Sequence, residues 1–410
     1  MIGRWTRFAI MCLILATGFS GALAQAVTLR FAAQGVTSEQ LPVYKQMIAA
    51  FEKANPGVKV DLQQVAYAES HQKFVTEAGA GSLPDVAYLQ ARYIPEFVER
   101  GVLQPLTNYA GPEFLSDYFD SALQSMYWKK TLYGIPWAFS TKVLVYRPDL
   151  LKKAGIDGPP RTWDQLLADA QAINDPPKVY AIGLVGCSGL HLAAQWFQYF
   201  WQAGGTVYKS DGTYNFDSPE AIKATQFYTD LYTKYKVTEP GVTSVCRNDA
   251  EDMFSAGNIG MMITGPWIRN KVTSGGQSVP YAVAQEPADV KTANLATTDA
   301  LVVFNTTKHP DLAWKLIQAM SADGLRHDFS VAAGFVPVKN TVAAMPPFST
   351  DEFWQAFTTA AKHATARPTT PYFTQVQNDL VDALQAVLLG QQTAEQAMKQ
   401  LNQQANATLQ

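Results

Sequence analysis

The chain has 410 residues, and its 47% hydrophobic and 16% charged content is typical of a well-packed globular protein. This length exceeds one ordinary hydrophobic core and is sufficient for two. The formal net charge is −3, with basic residues scattered among acidic ones, so the sequence predicts no nucleic acid and no acidic membrane as a partner.

The first 24 residues have the pattern of a secretory signal peptide. Arg4 and Arg7 precede an apolar segment at 8–18, and residues 22–24 read Ala-Leu-Ala, the small-x-small form that signal peptidase cleaves. The apolar segment is well short of a membrane span. We therefore expect cleavage before Gln25 and export of a soluble mature protein to the periplasm.

The next part of the chain alternates strand and helix patterns. Alternating apolar and polar residues predict strands at 27–31 and 58–62, and a nearly continuous apolar run predicts a buried strand at 85–89. Helical spacing at 37–55 and 69–80 separates them. This β-α-β-α-β order with short connections predicts a parallel sheet with helices on both faces.

Ligands of such sheets bind beyond the carboxyl ends of the strands. Gln34, Gln90 and Arg92 follow two of the predicted strands. These three residues are therefore candidate binding residues by topology alone.

A second α/β series begins at Tyr146. Strands are predicted at 179–185, 260–263 and 301–304, and capped helices begin near Thr162 and Ser218. Further helices are predicted at 310–320 and in the tail, and no internal repeat is evident. The pattern predicts two α/β lobes that meet at a cleft.

The mature chain has two cysteines, Cys187 and Cys246. In an oxidising compartment they could form a disulfide, but two separate buried thiols are equally compatible with the sequence. Neither cysteine has a second ligand at zinc-finger spacing, so no metal site is predicted.

The sequence contains no catalytic motif above background. Gly186-Cys187-Ser188-Gly189 lacks the final glycine of a nucleophile elbow, because Leu190 stands there. The histidines form no His-x-x-x-His pair, and there is no glycine-rich phosphate loop. We therefore predict neither an enzyme nor a cofactor.

Aromatic residues beside glycine or proline offer a different chemistry. Trp267, Phe335 and Tyr372 lie where predicted elements end. Sugar rings have an apolar face that stacks on aromatic side chains and hydroxyls that bind polar groups. A single such aromatic is nevertheless more often buried as packing.

Eight segments in order carry a family resemblance. They are 51–60 (FEKANPGVKV), 81–86 (GSLPDV), 132–137 (LYGIPW), 145–150 (VYRPDL), 254–257 (FSAG), 262–267 (MITGPW), 334–338 (GFVPV) and 367–372 (RPTTPY). Over essentially its whole mature length the chain resembles the extracellular solute-binding proteins of ABC sugar importers, the maltose-binding-protein-like group.

The resemblance implies a two-lobed periplasmic-binding-protein fold of class α/β, each lobe a mostly parallel sheet flanked by helices, joined by a hinge of several crossings. The N-lobe would comprise 26–138 and 302–330, and the C-lobe 142–298 and 335–410. It also implies the function: a monomer that captures a mono- or disaccharide, such as a trehalose-like sugar, and delivers it to membrane permease subunits.

The resemblance further suggests the ligand-binding residues. Trp267 matches a tryptophan that stacks on sugar, Arg367 an arginine that reaches hydroxyls, and Gly334-Phe335 a hinge-side loop that meets the ligand. The other candidates in the cleft are Gln34, Gln90, Arg92, Phe139, Ser140 and Tyr372. Leu89 and Ser140 stand where maltose binders have tryptophan and glutamate, which argues against a maltodextrin ligand.

Two other functions stay open. The same fold could bind a phosphorylated polyol such as glycerol 3-phosphate, with Arg92 and Arg367 as an anion clamp. Alternatively, an exported carbohydrate-active enzyme would need two carboxylates about 5–10 Å apart across the cleft.

Overall fold

The structure is a computed structural model that describes residues 27–67, 69–274, 279–370 and 373–409. The predicted signal peptide and Tyr372 lie outside these described residues. Within them, none of the helices combines the length and apolar character needed to cross a membrane.

The strands are β1 (Val27–Gln34), β2 (Val58–Val65), β3 (Val86–Gln90), β4 (Tyr127–Trp128), β5 (Thr131–Leu132), β6 (Gly134–Ser140), β7 (Val143–Tyr146), β8 (Tyr180–Gly183), β9 (Ile259–Thr264), β10 (Ala282–Ala284), β11 (Asn294–Val303) and β12 (Ala364–Ala366).

The helices are α1 (Gln40–Ala54), α2 (Ser70–Ala80), α3 (Ile94–Glu99), α4 (Pro112–Leu115), α5 (Asp120–Leu123), α6 (Pro148–Lys153), α7 (Trp163–Ile173), α8 (Leu190–Gln202), α9 (Pro219–Thr233), α10 (Arg247–Ser255), α11 (Ile268–Ser274), α12 (Pro310–Met320), α13 (Asp323–Ala333), α14 (Asn340–Ala343), α15 (Glu352–Lys362), α16 (Phe373–Leu388) and α17 (Ala394–Ala407). Single 3₁₀ turns occupy Ala91–Tyr93, Gln124–Met126 and Val242–Ser244.

The first sheet has the strand order β12-β11-β3-β1-β2, with β6 also paired to β11. Strand β1 runs parallel to both β2 and β3, as the β-α-β-α-β pattern predicts. Strand β3 is buried at all five positions, which explains its unbroken apolar character. Strand β11 returns antiparallel to β3 and β6, so the sheet is mixed.

The second sheet has the order β10-β7-β9-β8. Strands β8 and β9 are parallel, whereas β7 is antiparallel to both β9 and β10. The chain passes directly from β6 of the first sheet into β7 of the second. Only one of the second sheet's three strand pairs is parallel, so the prediction of a mostly parallel sheet in each lobe is wrong for this lobe, whereas the α/β two-lobed fold class is as predicted.

Alternate side chains of the second sheet face two different cores. Leu144, Met261 and Ile263 join a cluster under α7, α8, α9, α16 and α17. Val145 and Met262 join a second cluster, which continues through α10 and α15 to the first sheet. Both faces of the sheet are thus covered, so its polar strand ends are what remains for binding.

The lobes are connected by short crossings. Thr141 and Lys142 link β6 to β7. Strand β11 also passes between the lobes, because Leu295 packs in one core cluster and Leu301 in the other. The residues on and next to these crossings therefore lie at the floor of a cleft between the two lobes.

Candidate functional site: the interlobe cleft

A cavity of about 640 Å³ lies between the two lobes. This volume is within the usual range for small-molecule sites. We call it the cleft, and it is lined by Tyr67, Gln90, Arg92, Tyr93, Ala138, Phe139, Ser140, Lys142, Leu190, His191, Ala194, Arg247, Trp267, Leu295, Thr297, Asp299, Phe335 and Arg367.

The cleft brings together seven of the residues singled out from the sequence. They are Gln90, Arg92, Phe139, Ser140, Trp267, Phe335 and Arg367. The backbone N–H of Val336 donates to the carbonyl of Phe139 at 3.1 Å, which brings the loop after α13 alongside β6. This contact explains how Phe335 reaches the cleft from a distant part of the chain.

The other predicted residues lie elsewhere. Gln34 is fully buried behind the cleft, where its side-chain oxygen lies 3.5 Å from the Gln90 amide nitrogen. Gly334 ends α13 in the left-handed conformation, with φ of 64°, and does not line the cavity. Leu89 is also fully buried, so it offers no surface on which a sugar could stack.

Trp267 is held by its local sequence. Strand β9 is buried throughout and ends at Thr264, and Gly265-Pro266 turns the chain. A Cβ at position 265 would lie 2.2 Å from Cη2 of Trp267, so only glycine lets the indole fold back against the backbone. The glycine of the Gly-Pro-Trp motif is therefore a steric requirement for this ring position.

A buried carboxylate fixes the indole orientation. Trp267 Nε1 and Thr264 Oγ1 each donate to Oε1 of Glu251 at 2.5 Å. The Glu251 side chain is only 2% exposed. Because this oxygen is satisfied from two elements, the ring is held at the cleft wall while one part of it stays accessible.

Two cations contact the same indole. Lys142 Nζ lies 3.9 Å and Arg247 Cζ 4.7 Å from the ring centroid. Both distances fall within the range of cation–π attraction. Burial, then the neighbouring Arg247, lowers the pKa of Lys142 to about 7. Neither residue carries a sequence motif, so sequence reasoning missed both.

A disulfide between Cys187 and Cys246 anchors this wall of the cleft. Cys246 immediately precedes α10, whose first residue is Arg247. Cys187 lies shortly before α8, whose second residue is His191. The bond therefore ties together the two segments that present Arg247 and His191 to the cleft.

The opposite wall is built around Asp299 of β11. Its Oδ2 accepts hydrogen bonds from Tyr88 (3.0 Å) and Tyr67 (3.3 Å). Burial raises the pKa of Asp299 to about 7, against the lowering effects of Tyr88 and Arg92. Arg92 lies over the Tyr93 ring, with Cζ 4.7 Å from its centroid.

Arg367 completes the polar wall. Its Nη1 donates to the side-chain oxygen of Gln377, at the second turn of α16. Burial, and then Arg92, lowers the pKa of this guanidinium to about 10. A group with that pKa is still charged at neutral pH, so the cleft holds a cation here.

His191 reports the summed electrostatic field. Partial removal from water, followed by the effects of Arg247, Lys142, Arg367 and Arg92 in that order, lowers its pKa to about 4. A histidine beside four cations stays neutral near pH 7. It can then offer one N–H donor and one acceptor to a ligand.

A second cavity, of about 830 Å³, lies on the outer surface of one lobe between α7 and α9. It is lined by residues of that lobe only, including Trp163 and Phe227, which stack on each other. Lobe closure would not enclose it.

Among the described residues, no group of histidines, cysteines and carboxylates could hold a metal ion.

Two lobes that enclose a polar and aromatic cleft define a class of proteins that bind a small molecule by closing around it. A model of the bacterial extracellular solute-binding proteins matches residues 35–325. A putative binding protein of Brucella abortus (strain 2308) is 30% identical over 371 residues, 90% of each chain. The chain belongs to the bacterial extracellular solute-binding protein family.

Solved structures agree with this assignment. An ABC transporter solute-binding protein from Thermotoga lettingae TMO bound with α-D-tagatose is 29% identical, with a TM-score of 0.81 over 94% of this chain and 100% of the other. Maltose-bound MalE3 of T. maritima is 27% identical, with a TM-score of 0.79 over 93% and 99%. The resemblance to the maltose-binding-protein-like group and the two-lobed fold class are confirmed.

Proposed function

We propose that this protein binds a mono- or disaccharide in the cleft and delivers it to the permease subunits of an ABC importer. The observation that carries the proposal is the indole of Trp267, held by Glu251 at the wall of a cavity that both lobes line. Sugar rings stack on such surfaces, and polar groups around the ring bind their hydroxyls.

The cleft supplies suitable hydroxyl partners on all sides. Gln90 has a buried side-chain oxygen that finds no partner among the described residues. Ser140 and Thr297 also line the cavity. Lys142 and Arg247 lie over the indole, so a sugar that stacks on it would displace their contacts with the ring and accept hydrogen bonds from their N–H groups instead.

The ligands of the two solved relatives support a small sugar. One was bound with the monosaccharide α-D-tagatose and the other with the disaccharide maltose. A cavity of about 640 Å³ is compatible with either size, and a trehalose-like disaccharide falls in the same range. Leu89 offers no second platform for a longer maltodextrin.

Binding by hinge closure follows from the two-sided lining. A sugar contacts both lobes only in the closed form, so it stabilises that form. One chain supplies the whole cleft, so we propose a monomer, with the permease as its protein partner. A disulfide suits the oxidising periplasm, the compartment that the N-terminal sequence predicts.

A role in binding rather than catalysis is supported by the relatives, which are binding proteins. Among the described lining residues the cleft has one carboxylate, Asp299, whereas glycoside hydrolysis uses a pair. Glu251 is buried behind Trp267 and bonded to it.

A thermal-shift screen over mono- and disaccharides tests the proposal. A ligand that binds the native state raises the unfolding temperature, by an amount that grows with concentration over Kd. We expect at least one sugar to raise it and an amino acid set to leave it unchanged. A screen in which amino acids or peptides stabilise the protein, and sugars do not, would contradict the proposal.

A further inference from the structure

Four cationic side chains converge on the cleft from separate parts of the chain. Arg92 follows β3, Lys142 lies between β6 and β7, Arg247 begins α10 and Arg367 follows β12. The described lining residues include only one carboxylate, Asp299. The cleft therefore carries an excess of positive charge, although the whole chain has a net charge of −3.

These cations have few anionic partners. Of these four side chains, only Arg247 forms an ion pair with another described residue, Glu251, at 3.5 Å. Glu251 also lies 3.6 Å from Lys271, so its charge is shared. Arg92 and Arg367 donate instead to neutral oxygens, those of Tyr93 and Gln377.

Lys142 is the most enclosed of the four. It is 9% exposed, and among the described residues its ammonium forms neither an ion pair nor a hydrogen bond, only the contact with the Trp267 ring. Glu286 lies behind it, but burial raises the pKa of that carboxyl to about 8, which leaves it mostly protonated at neutral pH. The other buried carboxylate that acts on Lys142 is Glu251, which Arg247 and Lys271 share. Because burial lowers the pKa of Lys142 to about 7, an anion that enters the cleft would favour its charged form.

Closing the cleft removes these groups from water. Burial of unpaired cations is strongly unfavourable, and a neutral sugar offers only dipoles in return. An anionic group entering with the sugar supplies the missing counter-charge and accepts charge-assisted hydrogen bonds from the guanidinium groups. The lowered pKa of His191 reports the same positive field at the cleft wall.

We propose that the natural ligand is an acidic sugar, one bearing a carboxylate or a phosphate group, and that Arg92, Lys142, Arg247 and Arg367 recognise its anion. The inference rests on the proposed function, since the sugar part still stacks on Trp267. It adds that the cleft selects for charge as well as for ring shape.

Calorimetric titrations with matched sets of sugars test the inference. Each set has one ring in three forms, for example D-glucose, D-glucuronate and D-glucose 6-phosphate, or D-galactose, D-galacturonate and D-galactose 6-phosphate. We expect an anionic member to bind at least about tenfold more tightly than its neutral counterpart. Of the two acidic sugars in a set, the one that binds more tightly identifies the preferred anion as carboxylate or phosphate.

Each other result is also informative. A neutral sugar that binds as tightly as its acids would overturn the inference and leave the proposed function intact. Absence of binding by every neutral and acidic sugar tested would contradict the proposed function, and the inference with it.

An arginine variant separates charge recognition from a general loss of structure. Arg367→Gln should lower the affinity for the acidic sugar by about tenfold or more and leave the affinity for the neutral sugar of the same set nearly unchanged. Arg100→Gln is the matched control, because Arg100 is 46% exposed and pairs with Glu96 away from the cleft. Equal losses of affinity for both sugars in Arg367→Gln would show that this residue does not distinguish the charged sugar from the neutral one.

Discussion

Removal of the Cys187–Cys246 disulfide should destabilise the lobe that carries α8 and α10. The two cysteines are 59 residues apart, so the bond restricts a long loop of the unfolded chain. Chain entropy for a loop of that length gives a stabilisation of about 4 kcal/mol. For a folding unit of roughly 200 residues, this corresponds to a loss of roughly 8–16 °C in Tm.

The measurement is thermal and urea unfolding of Cys187→Ser/Cys246→Ser, followed by circular dichroism. Ser188→Ala is the control, because Ser188 is an exposed residue of the same loop and leaves the bond intact. Reduction of the wild-type protein should reproduce the loss and should not affect the double variant. A wild-type protein whose Tm is unchanged by full reduction would refute the loop-entropy reasoning.

Two further predictions concern the cleft walls. Gly265→Ala should move the Trp267 indole, because the new Cβ would lie 2.2 Å from Cη2 of the ring. Calorimetry should then show weaker sugar binding, and an unchanged affinity would contradict the steric argument. Asp299→Asn tests the raised pKa of Asp299, which is about 7. Between about pH 4 and 7 the folded wild type keeps a proton on this carboxyl that the unfolded chain releases, so the free energy of unfolding falls as pH rises, by roughly 4 kcal/mol at most. The variant has no carboxyl at this position and should not show this loss. Urea midpoints at pH 5 and 8 measure the difference, and parallel pH profiles would count against the buried-carboxylate account.

Local patterns in the sequence were sufficient for most of the fold. The predicted caps are confirmed, because the Thr162 side chain accepts a hydrogen bond from the backbone N–H of Gln165 at the start of α7, and Ser218 accepts one from Ala221 at the start of α9. The apolar runs at 85–89 and 260–263 correspond to buried strands. Such features depend on neighbouring residues, so the sequence alone can carry them.

Strand β11 shows where periodicity fails. The sequence predicted a strand only at 301–304, whereas β11 begins at Asn294. Thr297, Thr298 and Asp299 interrupt the apolar pattern, and two of these three line the cleft. Polar residues placed for binding thus obscured the strand that carries them.

The charge of the cleft was likewise invisible in the sequence. Basic residues are scattered among acidic ones along the chain, and no segment is a cationic block. Only the fold brings Arg92, Lys142, Arg247 and Arg367 to one cavity, because they lie on four separate segments. The cysteines are similar, since their pairing depends on a separation in space that spacing along the chain does not give.

Calorimetric titration of Trp267→Ala with a sugar that stabilises the wild type tests the central claim most directly. Loss of a central stacking aromatic should weaken binding by roughly 30-fold or more, with the unfolding temperature measured beside it to show that the fold persists. Trp267→Phe keeps a ring but loses the donor to Glu251, and it should retain part of the affinity. Unchanged affinity in a folded Trp267→Ala would contradict the account of the cleft.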